Sequence, residues 1–160
     1  MNDERQVILY ADDSEDDVLL MHRVLEDVGF TGELQVLPHG LDVIDYLSGS
    51  GHYADRTLYP LPNLVLLDIK MPRVDGLEVL KWIRRDEALR TTPVLMLSAS
   101  RQACDVAEAY AAKADAYLVK PVEMTAFRAL VTAVTTLCGR SAGTIDPLVI
   151  PGSVPAPSRD

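Results

Sequence analysis

Five polar side chains stand at or beside the ends of short apolar runs. Asp12 and Asp13 follow Val7 to Tyr10, Asp68 follows Leu64 to Leu67, Ser98 follows Val94 to Leu97, and Lys120 follows Ala116 to Val119. Three carboxylates brought to one place repel one another and are costly unless a cation neutralises them. A hard divalent ion suits such a set. Mg²⁺ takes oxygen ligands in octahedral geometry, keeps several waters, and is commonly held by one or two carboxylates plus phosphate oxygens. A carboxylate can also attack phosphorus and carry the phosphoryl group as an aspartyl phosphate. In that chemistry Asp68 is the nucleophile and Asp12 and Asp13 belong to the metal site. Lys120, as a point charge, and Ser98, as a hydroxyl donor, offset the charge on the transferring group.

Each residue has a plainer reading. Asp13 can cap a helix, Lys120 can be a solvated strand-end lysine, and Ser98 can be a turn residue. Asp12, on the strand end itself, is harder to explain structurally, and an acid at position 68 behind an apolar run demands a partner or a metal. Singly the plain readings win for Ser98 and Lys120; jointly they do not. Glu15, Asp16 and Asp17 read as first-turn acids favoured by the helix dipole and are kept out of the metal site.

The elements that position these groups follow from the alternation of apolar runs with amphipathic stretches, a βα signature. The runs Val7 to Tyr10, Leu64 to Leu67, Val94 to Leu97 and Ala116 to Val119 are nearly continuous in apolar residues, as strands buried on both faces must be. Glu33 to Leu37 alternates instead and reads as an edge strand. After the first strand, Ser14 serves as a helix cap, and Val18, Met21, Leu25 and Val28 recur at helical spacing up to Gly29. Further stripes run through Leu41 to Leu47, Leu77 to Ile83, Val106 to Ala111, and Phe127, Val131, Val134 and Cys138. Parallel strands joined by right-handed crossovers make an α/β, doubly wound, flavodoxin-like three-layer sandwich, its five-stranded parallel sheet ordered 2-1-3-4-5. Ligands in such a sheet bind beyond the carboxyl ends of the strands where the order reverses, which here lies between strands 1 and 3.

Bulk properties narrow the class. The chain has 160 residues, 48% hydrophobic and 24% charged, enough for one domain with a real core. Lys plus Arg number 15 against 24 Asp plus Glu, a net charge of −9, so the basic footprint of a nucleic-acid binder is missing. Cys104 and Cys138 suggest neither a metal knuckle nor a disulfide framework, and the charged N-terminus has no long apolar run, so the expected setting is cytoplasmic, with no membrane span.

The set Asp12 and Asp13, then Leu-Leu-Asp-Ile-Lys-Met-Pro around Asp68 with Asp75-Gly76 beyond it, then Ser98-Ala99, then Tyr117 to Lys120-Pro121, resembles the receiver domain of bacterial two-component response regulators. The resemblance implies that Asp68 accepts phosphate from a phosphohistidine on a sensor histidine kinase. It implies Mg²⁺ held by Asp12, Asp13, Asp68 and the backbone carbonyl of Lys70, and switch roles for Ser98 and Tyr117. It also implies a cis peptide between Lys120 and Pro121. The Gly49 to Asn63 loop, with two tyrosines able to pin it to the body, looks like stand-alone receivers that partner phytochrome-type kinases, making a bacteriophytochrome the expected partner. Lys70, two residues beyond the acceptor, is expected to alter the phosphate's lifetime.

Residues 1–138 are expected to form the receiver domain. Residues 139–160, rich in Pro and Gly, read as a tail, either disordered or an arm in a homodimer. Because the sequence ends shortly after the last helix, output is expected through protein contacts, on the face that similar receivers build from their fourth helix, fifth strand and fifth helix. Two alternatives stay open: a phosphorelay intermediate serving a histidine phosphotransfer protein, and a pseudo-receiver adaptor working without phosphorylation. A haloacid-dehalogenase-like phosphatase would want a second Asp at position 70, where this chain has Lys. The chain is expected to assist its own phosphorylation and dephosphorylation rather than turn over an external substrate.

Overall fold

The structure is a computed structural model that describes residues 5–139 and 150–158. Strands β1 (Val7–Ala11), β2 (Glu33–Leu37), β3 (Leu64–Leu67), β4 (Val94–Ser98) and β5 (Ala116–Val119) alternate with helices α1 (Glu15–Asp27), α2 (Gly40–Ser48), α3 (Gly76–Arg85), α4 (Ala103–Ala111) and α5 (Met124–Cys138). A 3₁₀ turn at Gly51–Ala54 lies between α2 and β3, and a short strand β6 (Ser153–Val154) ends the series. The first five strands are parallel and ordered β2-β1-β3-β4-β5. Among the described residues, no helix is long and apolar enough to cross a membrane.

The apolar runs are buried end to end: every residue of β1, β3 and β4 is buried, whereas β2 is mostly half-buried, as its alternating pattern suggests. Side chains alternate across the sheet and feed two cores. On one face Ile8, Tyr10, Leu64, Leu66 and Leu97 pack with Met21 and Val24 of α1 and Leu130 and Val134 of α5. On the other, Leu9, Val65, Leu67 and Met96 pack with Val43 and Tyr46 of α2, Leu80 and Ile83 of α3, and Val106 of α4. The result is the expected three layers.

Two caps fix where helices begin beside the site. The Ser14 side chain accepts from the Asp17 amide at 3.3 Å, and Asp75 accepts from the Glu78 amide at 2.9 Å. Gly76, next in line, permits a close approach: a Cβ there would lie 2.0 Å from the carbonyl oxygen of Asp68. The start of α3 is therefore pressed directly against the backbone of the candidate nucleophile.

The expected five-stranded, all-parallel sheet needs correction. β6 pairs antiparallel with β5, Tyr117 opposite Val154 and Leu118 opposite Ser153, making six strands. Disorder is thus not what residues 150–154 show. Ile150 is 2% exposed within the α1/α5 core, and a Pro151-Gly152 turn with Gly152 at φ 81° reverses the chain into β6. The physical reason is that an apolar anchor followed by a turn-forming pair gives a short segment enough burial to dock. Residues 140–149 of the expected tail or arm lie outside the described residues.

Candidate phosphoacceptor site

Each expected site residue extends a strand of the parallel sheet, and the ladder fixes its place. The Asp68 amide donates to the Ala11 carbonyl at 3.0 Å, and the Lys120 amide donates to the Ser98 carbonyl at 2.8 Å. Asp12 and Asp68 are consequently neighbours at the point where strand order reverses, and Lys120 reaches them from the end of β5, two strands from Asp68 and three from Asp12. Asp12, Asp68 and Ser98 are the buried polar residues of the described chain.

Lys120 Nζ is the hub. It donates to Asp12 Oδ2 at 2.7 Å, Asp17 Oδ2 at 2.8 Å and Asp68 Oδ2 at 3.1 Å. Asp12 is further held by the Tyr10 hydroxyl at 2.6 Å on Oδ2 and by the Ser14 amide at 2.9 Å on Oδ1. Burial works against the Lys120 ammonium, yet its bonds to Asp12 and Asp17 and the charge of Asp68 hold its pKa above the ordinary lysine range. Burial also pushes the Asp68 carboxyl up, with Lys120 pulling the other way and Asp12 adding to the rise. Tyr10 is pushed far up by burial and by its bond to Asp12, so it acts only as a donor. One ammonium among several acids, one of them raised, is an arrangement short of positive charge.

Asp12, Asp13 and Asp68 can bring one carboxylate oxygen each within 4.8 Å of one another. All three donors are hard oxygens, two buried and one exposed, and the local charge deficit is the one that a divalent cation relieves; the set fits Mg²⁺. With Asp12 already accepting three hydrogen bonds, little of its coordinating capacity remains for direct contact.

An open cavity of about 280 Å³ lies before Asp68, lined also by Lys70, Ser98, Ser100, Arg101 and Gln102. Tyr117 is fully buried on β5 and donates its hydroxyl to the Ser100 carbonyl at 2.9 Å, facing inward. The Ser100 amide bonds Ser98 Oγ at 3.2 Å, and its hydroxyl donates to Asp105.

One expectation is extended and one changes. Asp17 stays outside the Asp12–Asp13–Asp68 group as a first-turn acid, and in addition pairs with Lys120. Its position three residues beyond the Ser14 cap places it on the inner side of the first turn of α1, and Lys120 supplies a nearer reward than the dipole. The Lys120–Pro121 bond is trans, as are all described peptide bonds. The tertiary amide favours trans by about 0.5–1 kcal/mol, and the trans chain already delivers Nζ to three carboxylates, so no contact here requires the cis form. Arg101 and Gln102 were not foreseen either; their signal was simply proximity to Ser98 in sequence.

Strand-end acids at the switch point of a doubly wound sheet, bridged by a strand-end lysine, define a receiver. The response regulator receiver domain family matches residues 8–132, and the chain belongs to it. The chain is 39% identical over 119 residues, 72% of either chain, to a probable methanogenesis regulatory protein, FilR2, of Methanothrix harundinacea. It is 37% identical over 123 residues to the response regulator Rcp1 of Synechocystis, covering 75% of this chain and 82% of Rcp1. The crystal structure of the Mn²⁺-bound form of Rcp1 aligns at a TM-score of 0.76 and 31% identity, over 86% of this chain and 99% of Rcp1. A phosphorylated cyanobacterial phytochrome response regulator, RcpA, aligns at 0.75 and 28% identity, over 81% and 91%. The chain is thus a two-component signalling receiver with phytochrome-associated homologues, in a family where phosphorylation and Mg²⁺ are typical and whose members signal rather than turn over substrate.

Proposed function

We propose that the chain is a phosphoreceiver that takes a phosphoryl group from the phosphohistidine of a sensor histidine kinase onto Asp68 and passes the signal on by contact with other proteins. The observation that carries this reading is the Asp68 carboxylate, 8% exposed, which opens onto the cavity on one side and is held by Lys120 at 3.1 Å on the other. An Asp68 oxygen attacks phosphorus as the P–N bond breaks; the bonding pair leaves with the imidazole nitrogen, which takes up a proton from solvent. Mg²⁺, held by Asp12 and Asp13 directly or through water and by Asp68 and the Lys70 carbonyl, would neutralise charge on the phosphoryl oxygens. Lys120, tethered by Asp12 and Asp17, stays charged through the step and pairs with the phosphoryl group, while Ser98 donates its hydroxyl from the cavity wall. Tyr117 follows the Ser98–Ser100 segment through its bond to Ser100.

A bacteriophytochrome is the favoured kinase, on the 34% identity to the bacteriophytochrome response regulators RtBRR and AtBRR, and the cytoplasm the setting. Residues 1–138 act as the receiver unit, and residues 150–154 extend it by docking on β5 of the same chain. Incubation with a small phosphodonor, read by Phos-tag mobility with and without Mg²⁺, tests the chemistry. A shifted band in wild type that needs Mg²⁺ and is missing in Asp68→Asn supports it; no shift in folded wild-type protein refutes it.

A further inference from the structure

The short strand β6 is tied to the site by an unbroken line of hydrogen bonds. Ile150, Pro151, Gly152 and Ser153 form a turn closed by the Ser153 amide donating to the Ile150 carbonyl at 3.1 Å, with Gly152 in the positive-φ position that a type II turn requires. The segment then divides between the two cores, Ile150 buried on the α1/α5 side and Val154 packed on the opposite one. The Tyr110 hydroxyl bridges β6 to β5: it donates to the Val154 carbonyl and accepts from the Tyr117 amide at 3.2 Å. Tyr117 in turn donates its own hydroxyl to Ser100, whose amide holds Ser98 Oγ. Ser98 and Ser100 both line the cavity before Asp68.

Position along a line is not coupling; coupling needs an element with two states that both ends bias. β6 qualifies. It pairs at only two residues, and the burial of one isoleucine and one half-buried valine, together with the turn, ladder and Tyr110 hydrogen bonds, opposes the entropy of fixing five residues, so few contacts hold it docked.

We infer that β6 is a latch, docked while Asp68 is free and released when Asp68 carries a phosphoryl group. The inference rests on the phosphoacceptor reading above. A phosphoryl group that draws Ser98 toward Asp68 takes the Ser100 carbonyl with it and pulls on the Tyr117 hydroxyl. The Tyr117 amide then shifts against Tyr110, and the bridge to Val154 loosens. Release uncovers the β5 edge at Tyr117 and Leu118, so occupancy of Asp68 is converted into an exposed strand edge. Linkage is reciprocal: whatever frees β6 must tighten binding at Asp68 by the same factor.

The test uses the full chain with Mg²⁺ and beryllofluoride as the phosphoryl mimic, read by hydrogen exchange of the 150–154 segment and by calorimetric affinity. Beryllofluoride is expected to speed exchange in that segment, and Tyr110→Phe to bind beryllofluoride about fivefold more tightly than wild type, at the low end of typical coupling. Ile150→Asp, which frees β6 with both tyrosines in place, is expected to do the same, so a folding defect in one variant does not decide the matter. Faster exchange in both variants with wild-type affinity for beryllofluoride overturns the latch and leaves Asp68 chemistry standing. Absence of beryllofluoride binding by folded wild type overturns the phosphoacceptor reading and the latch together.

Discussion

The rim of the parallel strands and the excursion between α2 and β3 use polar groups in opposite ways. Around the excursion, Arg56 and the Tyr46 hydroxyl are committed to backbone. Arg56 donates to the carbonyls of Tyr46 at 2.8 Å, Leu47 at 2.9 Å and Tyr59 at 3.2 Å, closing the exposed end of α2, and the Tyr46 hydroxyl donates to the Pro60 carbonyl at 2.6 Å. Tyr46, Tyr53 and Tyr59 then pack edge-on or tilted, with ring centroids 5.1–5.9 Å apart, and bury the result. At the rim three acids share one ammonium, and the Asp68 carboxyl is driven upward by burial. One region is satisfied and holds the fold; the other is left in electrostatic debt, which a divalent cation can offset.

The sharpest way to break this contrast is Lys120→Ala. Removing the hub leaves Asp12, whose side chain is wholly buried, facing Asp17 and Asp68 without a cation. Breaking a buried pair by deleting one partner costs about 3–5 kcal/mol, and the half-open rim places this case near the lower figure. Urea unfolding in EDTA is expected to show that loss, and millimolar Mg²⁺ to return much of it. A loss indifferent to Mg²⁺ would mean that the rim is not short of positive charge.

Arg56→Ala probes the other side. Hydrogen bonds made by a charged donor contribute about 1.5–3 kcal/mol, and those at the end of α2 satisfy carbonyls that have no helical partner. A loss of about 2 kcal/mol is expected, the same in EDTA and Mg²⁺, with phosphorylation of Asp68 unchanged. Reduced phosphorylation in protein that remains folded would show that the excursion is part of the site.

Asp68→Asn is smaller and opposite in sign. A carboxyl whose folded pKa is raised contributes stability below its unfolded value, and that contribution is lost as pH rises through the folded value. At pH 7 in EDTA the amide should therefore be more stable than the acid, read as a higher Tm. The difference should shrink as pH falls below the ordinary carboxylate range, about 4. A gain that persists unchanged at pH 3 would point to packing instead of charge.

The same contrast explains what could be read from residues alone. The five parallel strands were legible because burial on both faces demands continuous apolar runs, and Asp12, Asp13, Asp68, Ser98 and Lys120 because each terminates or follows such a run. The excursion was legible as aromatics able to pin a loop, though not the role of Arg56, whose partners are carbonyls and carry no side-chain signature. β6 was missed because two residues cannot show a strand period, and because Pro151 and Gly152 were weighed as marks of a tail when, between Ile150 and Val154, they specify a turn. Asp17 is the first-turn acid that its position suggests, and its bond to Lys120 was not legible because the helix dipole already accounts for acids there. The cis Lys120–Pro121 bond was an expectation carried over from similar proteins, and nothing in the residues themselves called for it.

The smallest expected effect sits where the two kinds of region meet. Lys70 follows the acceptor by two residues, is exposed, and lines the cavity together with Arg101, so it adds a cation on the open side of Asp68 opposite half-buried Lys120. An exposed ammonium is screened by water and salt and holds a phosphoryl oxygen only weakly. Lys70→Ala is therefore expected to change the autodephosphorylation rate of phosphorylated Asp68 by only a few-fold, and that change should fade at high salt, where the screening length falls to about 3 Å at 1 M. Radiolabel or Phos-tag decay measured at two salt concentrations separates the possibilities. A rate that is unchanged at low salt removes Lys70 from the site, and a change that survives at 1 M salt means that Lys70 acts by blocking water instead of by its charge.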